Sequence, residues 1–306
     1  PLAEGGMGAV YSAFDPELDR RLAIKLLHTR TTANGRKRMI RDKVAEALNN
    51  LSLVDWALGR YDQATTNLEQ ALTIHERSLG PGHPMFADSL NNLAGVLFAR
   101  GRYPEAVAML ERAIAVYEKA LGPDHPDLAI SFNNLADAQR ALGRYPEAMV
   151  NFDRALAIWA NNLDPGLPLW AYPYTGMGRA LVRMHQLDLA KRHLELALSI
   201  REKALGLEHP ELTETLLGLG ELAMTSGRPA QAIPIFERAL KLSNKDLRAD
   251  AQLALAGALL AAGSSPANQA RGQTLATEAR DFYQRVGHQP GLAEVNKLLG
   301  ARVQAP

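Results

Sequence analysis

The sequence predicts an all-α solenoid of stacked antiparallel helix pairs, and three observations predict it. Short phrases recur every 42 residues: Asn49-Asn50-Leu51, Asn91-Asn92-Leu93 and Asn133-Asn134-Leu135, then Gly59-Arg60-Tyr61, Gly101-Arg102-Tyr103 and Gly143-Arg144-Tyr145. A fixed period of this size marks a repeat architecture. Apolar residues between the phrases follow the three-and-four spacing of one helix face. Gly and Pro then fall where helices must stop and start.

Within one unit, Leu90, Leu93, Ala94, Leu97 and Phe98 make the apolar face of a first helix over 87–100. Gly101 stops it, as glycine does just past a helix end. A second helix opens at Tyr103-Pro104, with Pro tolerated in the first turn. It carries Ala106, Val107, Leu110, Ala113, Ile114 and Tyr117. Leu121-Gly122-Pro123 ends it, and His125-Pro126 starts the next unit, as His83-Pro84 and His209-Pro210 do elsewhere. Ala64, Ala106 and Ala148 follow each Tyr by three residues and mark close helix crossings. No pair can bury its apolar face alone, so neighbours must stack.

Later copies drift. The fourth, 169–206, has Thr175-Gly176-Met177 and His185-Gln186-Leu187 in place of the two phrases. The fifth keeps Gly227-Arg228-Pro229 and Ala232, and a sixth, about 246–286, is interrupted by Gly263-Ser264-Ser265-Pro266. Residues 290–302 read as a terminal capping helix facing water. The expected organisation is therefore 1–42 outside the repeat, 43–289 as about six repeats, and 290–306 as cap and tail.

The pattern Leu-x-x-Leu-Ala, then Gly-Arg-Tyr-x-x-Ala, resembles the tetratricopeptide repeat over about 44–242. The 42-residue period, with Asn-Asn-Leu-Ala and Leu-Gly-x-x-His-Pro, is similar to the kinesin light chain variety. The resemblance implies a right-handed superhelix whose concave face receives an extended peptide or a partner helix. It also places on that face Asn49, Asn91 and Asn133, with Trp56 and Phe98 as apolar contacts. Asp88, Asp137, Arg140 and Arg179 join them as charges, with Glu46 and Arg183 in the same stripe. An Asn amide offers two donors and one acceptor, so a ladder of them suits a peptide backbone. The second Asn of each pair, at 50, 92 and 134, is expected to bond neighbouring backbone or the adjacent repeat. The His-Pro turns are read as cap residues, since they fall in separate repeats and metal ligands must converge within about 2 Å of one ion.

Composition narrows the function classes. The chain has 306 residues, 47% hydrophobic and 22% charged, with net charge +1. That balance gives no global attraction to nucleic acid, and no continuous basic stripe with interleaved aromatics supports one. Nine Lys or Arg lie between Arg20 and Lys43, read as a solvated linker with a docking patch as the sharper alternative. Cysteine is absent, which removes disulfides and thiolate chemistry and fits a reducing, cytoplasmic setting. No apolar run reaches the roughly 18 residues of a membrane span. The longest, 254–262, reads as a buried helix.

The first 42 residues follow another pattern. Leu2 to Tyr11 resembles the Gly-rich loop of bacterial serine/threonine protein kinases, and Leu22-Ala23-Ile24-Lys25 resembles the strand bearing the ATP-pairing lysine. Ala3 replaces the loop's first glycine, and Asp42 falls near the family's lysine-pairing Glu. The resemblance makes Gly5, Gly8, Val10 and Lys25 remnants of a nucleotide site. It implies ATP and magnesium only for a full-length parent. His-Arg-Asp, Asp-Phe-Gly and Ala-Pro-Glu do not occur in the chain, and these carry the catalytic base and the metal. A short incomplete β-rich stub is expected, from a gene deletion or from joined ends of a longer gene.

The sequence therefore predicts a non-catalytic adaptor with no cofactor and no metal. Its partner is a protein or peptide, not nucleic acid or membrane, and self-association through repeat ends is open. The rival reading is a regulatory, substrate-recruiting fragment of a protein kinase.

Overall fold

In the computed structural model, the backbone is described for residues 3–5, 8–15, 20–26, 33–164, 166–263 and 265–300, and side chains from residue 39 onward apart from 165, 246, 264 and 301–306. Among these residues six helix pairs follow one another. They are α1 (Ala33–Ala57) with α2 (Tyr61–Ser78), α3 (Pro84–Ala99) with α4 (Tyr103–Leu121), and α5 (Pro126–Ala141) with α6 (Tyr145–Asn162). A 3-10 turn, Pro168–Trp170, leads into α7 (Ala171–Arg183) with α8 (Leu187–Leu205). Then come α9 (Leu212–Thr225) with α10 (Pro229–Leu242), α11 (Lys245–Ala261) with α12 (Pro266–Val286), and finally α13 (Gln289–Gly300). Each helix packs on its sequence neighbours, within and between pairs.

Local chemistry explains the boundaries. His83, His125 and His209 each accept a hydrogen bond through Nδ1 from the backbone N–H two residues on. They satisfy donors that the first helical turn leaves open. Pro follows each of them, and its missing N–H costs nothing there. Ala64, Ala106 and Ala148 have no exposed surface, so the helices of each pair cross where the side chain is smallest. Around them Leu68, Leu90, Leu110, Leu128 and Trp159 form one continuous core through the first three pairs. The turn of the fourth pair places a non-glycine, His185, at φ 58°.

Towards the N-terminus, β1 (Ala3–Gly5), β2 (Gly8–Asp15) and β3 (Arg20–Leu26) form an antiparallel sheet in that order. Gly5 pairs with Gly8 and Val10 with Lys25 in the backbone register; their side chains lie outside the described residues. The boundary expected at residue 42 falls inside α1, which runs unbroken from Ala33.

The C-terminal helix α13 keeps exposed residues at Ala293, Glu294, Asn296 and Lys297 and also packs back on the solenoid. The turn between α12 and α13 returns to the second helix pair. Val286 packs against the core of the first pairs, and the Pro290 ring lies against the backbone of Gly101. A cleft of about 420 Å³ separates the α1–α2 turn from α11 and α12, between Leu58, Tyr61, Arg248 and Phe282. The stacked pairs therefore curve until their two ends meet.

Candidate functional site

The first helices of four consecutive pairs present a column of side chains in one register. Gly95, Asp137, Arg179 and Glu221 occupy it on α3, α5, α7 and α9, 42 residues apart. The glycine on α3 has a reason: Trp56 of α1 fills the space where its side chain would stand. The charges on the later helices form a network. Arg140 donates to Asp137 Oδ1 through Nε and Nη2 at 3.1 and 3.0 Å. Arg179 donates to both oxygens of Glu221, at 2.7 and 3.2 Å, and to Glu214 at 3.3 Å. Glu214 also lies 3.9 Å from Arg140. One row thus ties α5, α7 and α9 together.

The C-terminal helices complete the row. Tyr283 of α12 donates to Asp250 of α11. The ring of His288 stacks on Tyr283 at 5.1 Å and meets Tyr103 of α4 edge-on at 6.1 Å, while Tyr103 lies 5.2 Å from Phe98. Arg183, Glu221, Asp250 and Arg179 all act electrostatically on Glu294 of α13. Their positions put α13 across from α7, α9 and α11.

Titration behaviour follows from this packing. Burial pushes the Asp137 carboxyl up to about 6, outweighing the pull of Arg140. Desolvation by the surrounding helices also raises Asp250 and Glu294, although both keep exposed surface. Burial acts upward on Glu221 too, but Arg179 overcomes it and holds that carboxyl below the usual range. For Arg179 burial opposes the charge, yet Glu221 and Glu214 keep its guanidinium above its ordinary value. Burial pushes the Tyr103 phenol up to about 12. Five carboxylates, Asp137, Glu214, Glu221, Asp250 and Glu294, face three guanidiniums, Arg140, Arg179 and Arg183, so negative charge is in excess. Among the described residues no three His, Cys, Asp or Glu gather as metal ligands.

The expected groove residues divide. Asp137, Arg140 and Arg179 converge in the network. Phe98 and Asp88 sit on α3, Phe98 against Tyr103 and Asp88 accepting from the Tyr117 hydroxyl. Trp56 is packed between the first two pairs against Gly95. The asparagines require a correction. Asn49 and Asn133 are buried, and Asn49 Nδ2 donates to Ser89 Oγ of the next pair at 2.8 Å. Asn91 Oδ1 accepts from Ser131 and Asn134 of the following pair, at 3.2 and 3.3 Å. The amides of Asn49 and Asn91 join consecutive repeats because their register meets a hydroxyl one repeat on, Ser89 and Ser131. At 173 that position is Pro, and Asn133 Oδ1 has no partner among the described residues. Two of the three expected groove asparagines, Asn49 and Asn91, thus bond between repeats.

Glu214, Glu221, Asp250, Tyr103, Tyr283, His288 and Glu294 were not expected at the site. Glu221 shares the register of Asp137 and Arg179, so the repeat alone marks it. His288 and Glu294 lie beyond the repeat, and nothing local signals that their turn comes back to α4.

No curated protein sequence matches the chain. Among solved structures it is similar to a kinesin light chain protein of Podosopora anserina with nearly identical TPR-like repeats, at 27% identity and TM-score 0.51, over 66% of this chain and 95% of that one. It also shares its fold with the Rap conjugation gene regulator of plasmid pLS20, in complex with the Phr* peptide, at 14% identity and TM-score 0.61, over 90% and 78%. A Rap protein complexed with competence and sporulation factor matches at 13% identity and TM-score 0.57, over 84% and 74%. The tetratricopeptide repeat family matches residues 43–119, 85–161 and 171–245, segments that lie in the first five helix pairs and hold the row from Asp137 to Glu221. The chain belongs to the tetratricopeptide repeat family.

Proposed function

We propose that this protein is a non-catalytic adaptor that binds a peptide segment of a partner protein along the inner face formed by α5, α7, α9, α11 and α13. The observation that carries the reading is the charged row from Asp137 through Arg179 to Glu221. Charged side chains gathered on one partly covered face cost desolvation free energy, and the carboxylates there exceed what the guanidiniums of the row pair. Carboxylates outnumber guanidiniums in the row, which favours a segment bearing Lys or Arg. One structure of the same fold, the Rap conjugation gene regulator, holds a peptide, and this supports the reading without identifying a ligand.

The test is fluorescence anisotropy with labelled peptides of graded charge. Basic peptides should bind more tightly than acidic ones of the same length, and less tightly at high salt. Glu221→Gln with Glu214→Gln should weaken the basic series tenfold or more. Equal binding of acidic and basic peptides, or an unaffected double variant, would refute the assignment.

A second reading keeps the chain as the regulatory part of a protein kinase. The backbone pairing of Val10 with Lys25 favours it, because it brings the Gly-rich loop strand beside the lysine strand. Binding of an ATP analogue by the intact chain, lost on Lys25→Met, would support this reading. No binding at millimolar nucleotide would remove it.

A further inference from the structure

One helix face breaks the pattern of the stack. On α3, Phe86, Ser89, Leu93 and Val96 form a stripe that is fully buried. Ser89 shows which way it faces, since it bonds Asn49 of α1 and lies 3.0 Å from His75 Nδ1 of α2. The same register is buried on α5 as Leu128, Ser131, Leu135 and Ala138, where Ser131 donates back to Asn91. On α1 the register holds Val44, Ala47, Leu51 and Val54, extended by Ile40 and Leu58, and all six are exposed. The five larger side chains are 42% to 53% exposed. Contiguous apolar surface of this kind marks an interaction site.

The stripe's own spacing indicates its occupant. Its steps are four, three, four, three and four residues, the seam of a helix pair, and they read the same in both directions. Two copies of α1 laid antiparallel oppose Ala47 with Leu51, Val44 with Val54 and Ile40 with Leu58, so every seam residue finds an apolar partner. The far end of the solenoid is not free to take this place head-to-tail. Its α12–α13 turn is held on the second pair through His288, Val286 and Pro290. A closed two-fold pair remains. We propose that the exposed face of α1 is a homodimer interface, packed antiparallel against α1 of a second copy of this chain.

Sedimentation velocity on the full chain tests this across a concentration series. The expected species rises from 33.3 kDa to twice that mass and stops there. Leu51→Lys with Val54→Glu should leave the helical signal and melting intact and abolish the dimer. The chain has no cysteine, so register is read by mixing Ala47→Cys and Leu51→Cys chains. Antiparallel pairing yields the mixed disulfide in excess over either homodimer. A monomer at every concentration would overturn the proposal. So would assemblies that grow without limit, a dimer that survives the double substitution, or cross-linking that favours the homodimers.

Discussion

The Tyr103 hydroxyl and His288 Nε2 meet at 3.1 Å, although 185 positions separate them in sequence. The other ring nitrogen fixes the tautomer. His288 Nδ1 accepts from the backbone N–H of Gly291 at 2.9 Å, so in the neutral ring the proton is on Nε2 and points at Tyr103. One imidazole therefore caps α13 and ties it to α4. A second proton would occupy Nδ1 and break the cap.

This makes the closure of the solenoid pH-dependent. Burial lowers the affinity of His288 for its proton, against the pull of Asp250. The charged and titratable groups around the contact are Tyr103 on α4, Arg140 on α5, Arg179 on α7, Asp250 on α11, Tyr283 on α12 and Glu294 on α13. A histidine whose folded pKa is depressed stabilises the fold above its unfolded value of about 6.5. That contribution is lost as pH falls from there through the folded value. Hydrogen exchange of the α13 amides should show full protection at pH 7.5 and progressive loss below pH 6.5. His288→Gln should flatten the profile; protection that does not change with pH in the native chain would contradict the assignment.

Gly101 and Gly143 occupy equivalent turns, yet substitution should affect them unequally. Both have positive φ, 70° and 77°, which costs an alanine about 1 kcal/mol at either site. A side-chain carbon at Gly143 meets only the Tyr145 hydroxyl at 4.0 Å, whereas at Gly101 it stands 2.6 Å from Pro290 Cδ. Gly143→Ala should therefore lower thermal stability by the backbone cost alone. Gly101→Ala should cost more and also unprotect α13 in hydrogen exchange. Equal losses for the two, with α13 still protected, would place the C-terminal turn elsewhere.

The repeat made most of the fold legible. Period, glycine stops and His-Pro starts fixed the helix pairs to within a few residues, because each signal is local and recurs. What stayed hidden is long-range. The contact of His288 with Tyr103 depends on how far successive pairs rotate, and small rotations add up over six pairs. The asparagines misled for a related reason. Positions 49 and 50 lie 100° apart on the helix, and the assignment of which one meets the next repeat depends on the partner at Ser89, which sequence spacing does not orient. Asp137 and Arg179 were readable because charges recur there at repeat-equivalent positions, and Arg140 lies one turn from Asp137 on the same helix.

Asp137 is expected to carry an electrostatic cost. Its carboxyl is pushed up to about 6 by burial despite the bond to Arg140. A carboxyl with a raised folded pKa opposes folding above that value, and the opposition fades as pH falls from about 6 towards the unfolded value near 3.9. Asp137→Asn should therefore raise stability at pH 7.5 by roughly 1–2 kcal/mol, with the gain shrinking by pH 5. A destabilised variant at pH 7.5 would mean that the ion pair with Arg140 outweighs the burial.

Arg201 separates the value of volume from the value of charge. It is 1% exposed, and its Nη1 donates to the hydroxyls of Thr175, at 3.0 Å, and Thr215. Its guanidinium lies 4.7 Å from the Tyr172 ring centre. Its Nε has no partner among the described residues. A buried charge left partly unsatisfied contributes little net stability, whereas removing its bulk leaves a cavity. Arg201→Ala should cost about 2–4 kcal/mol. Arg201→Met keeps the chain length and removes the charge, and the two threonines still bond each other at 2.9 Å. It should cost less than half as much. If methionine proved as damaging as alanine, the charge and its bonds to Thr175 and Thr215, not the packing of the stem, would hold α7, α8 and α9 together.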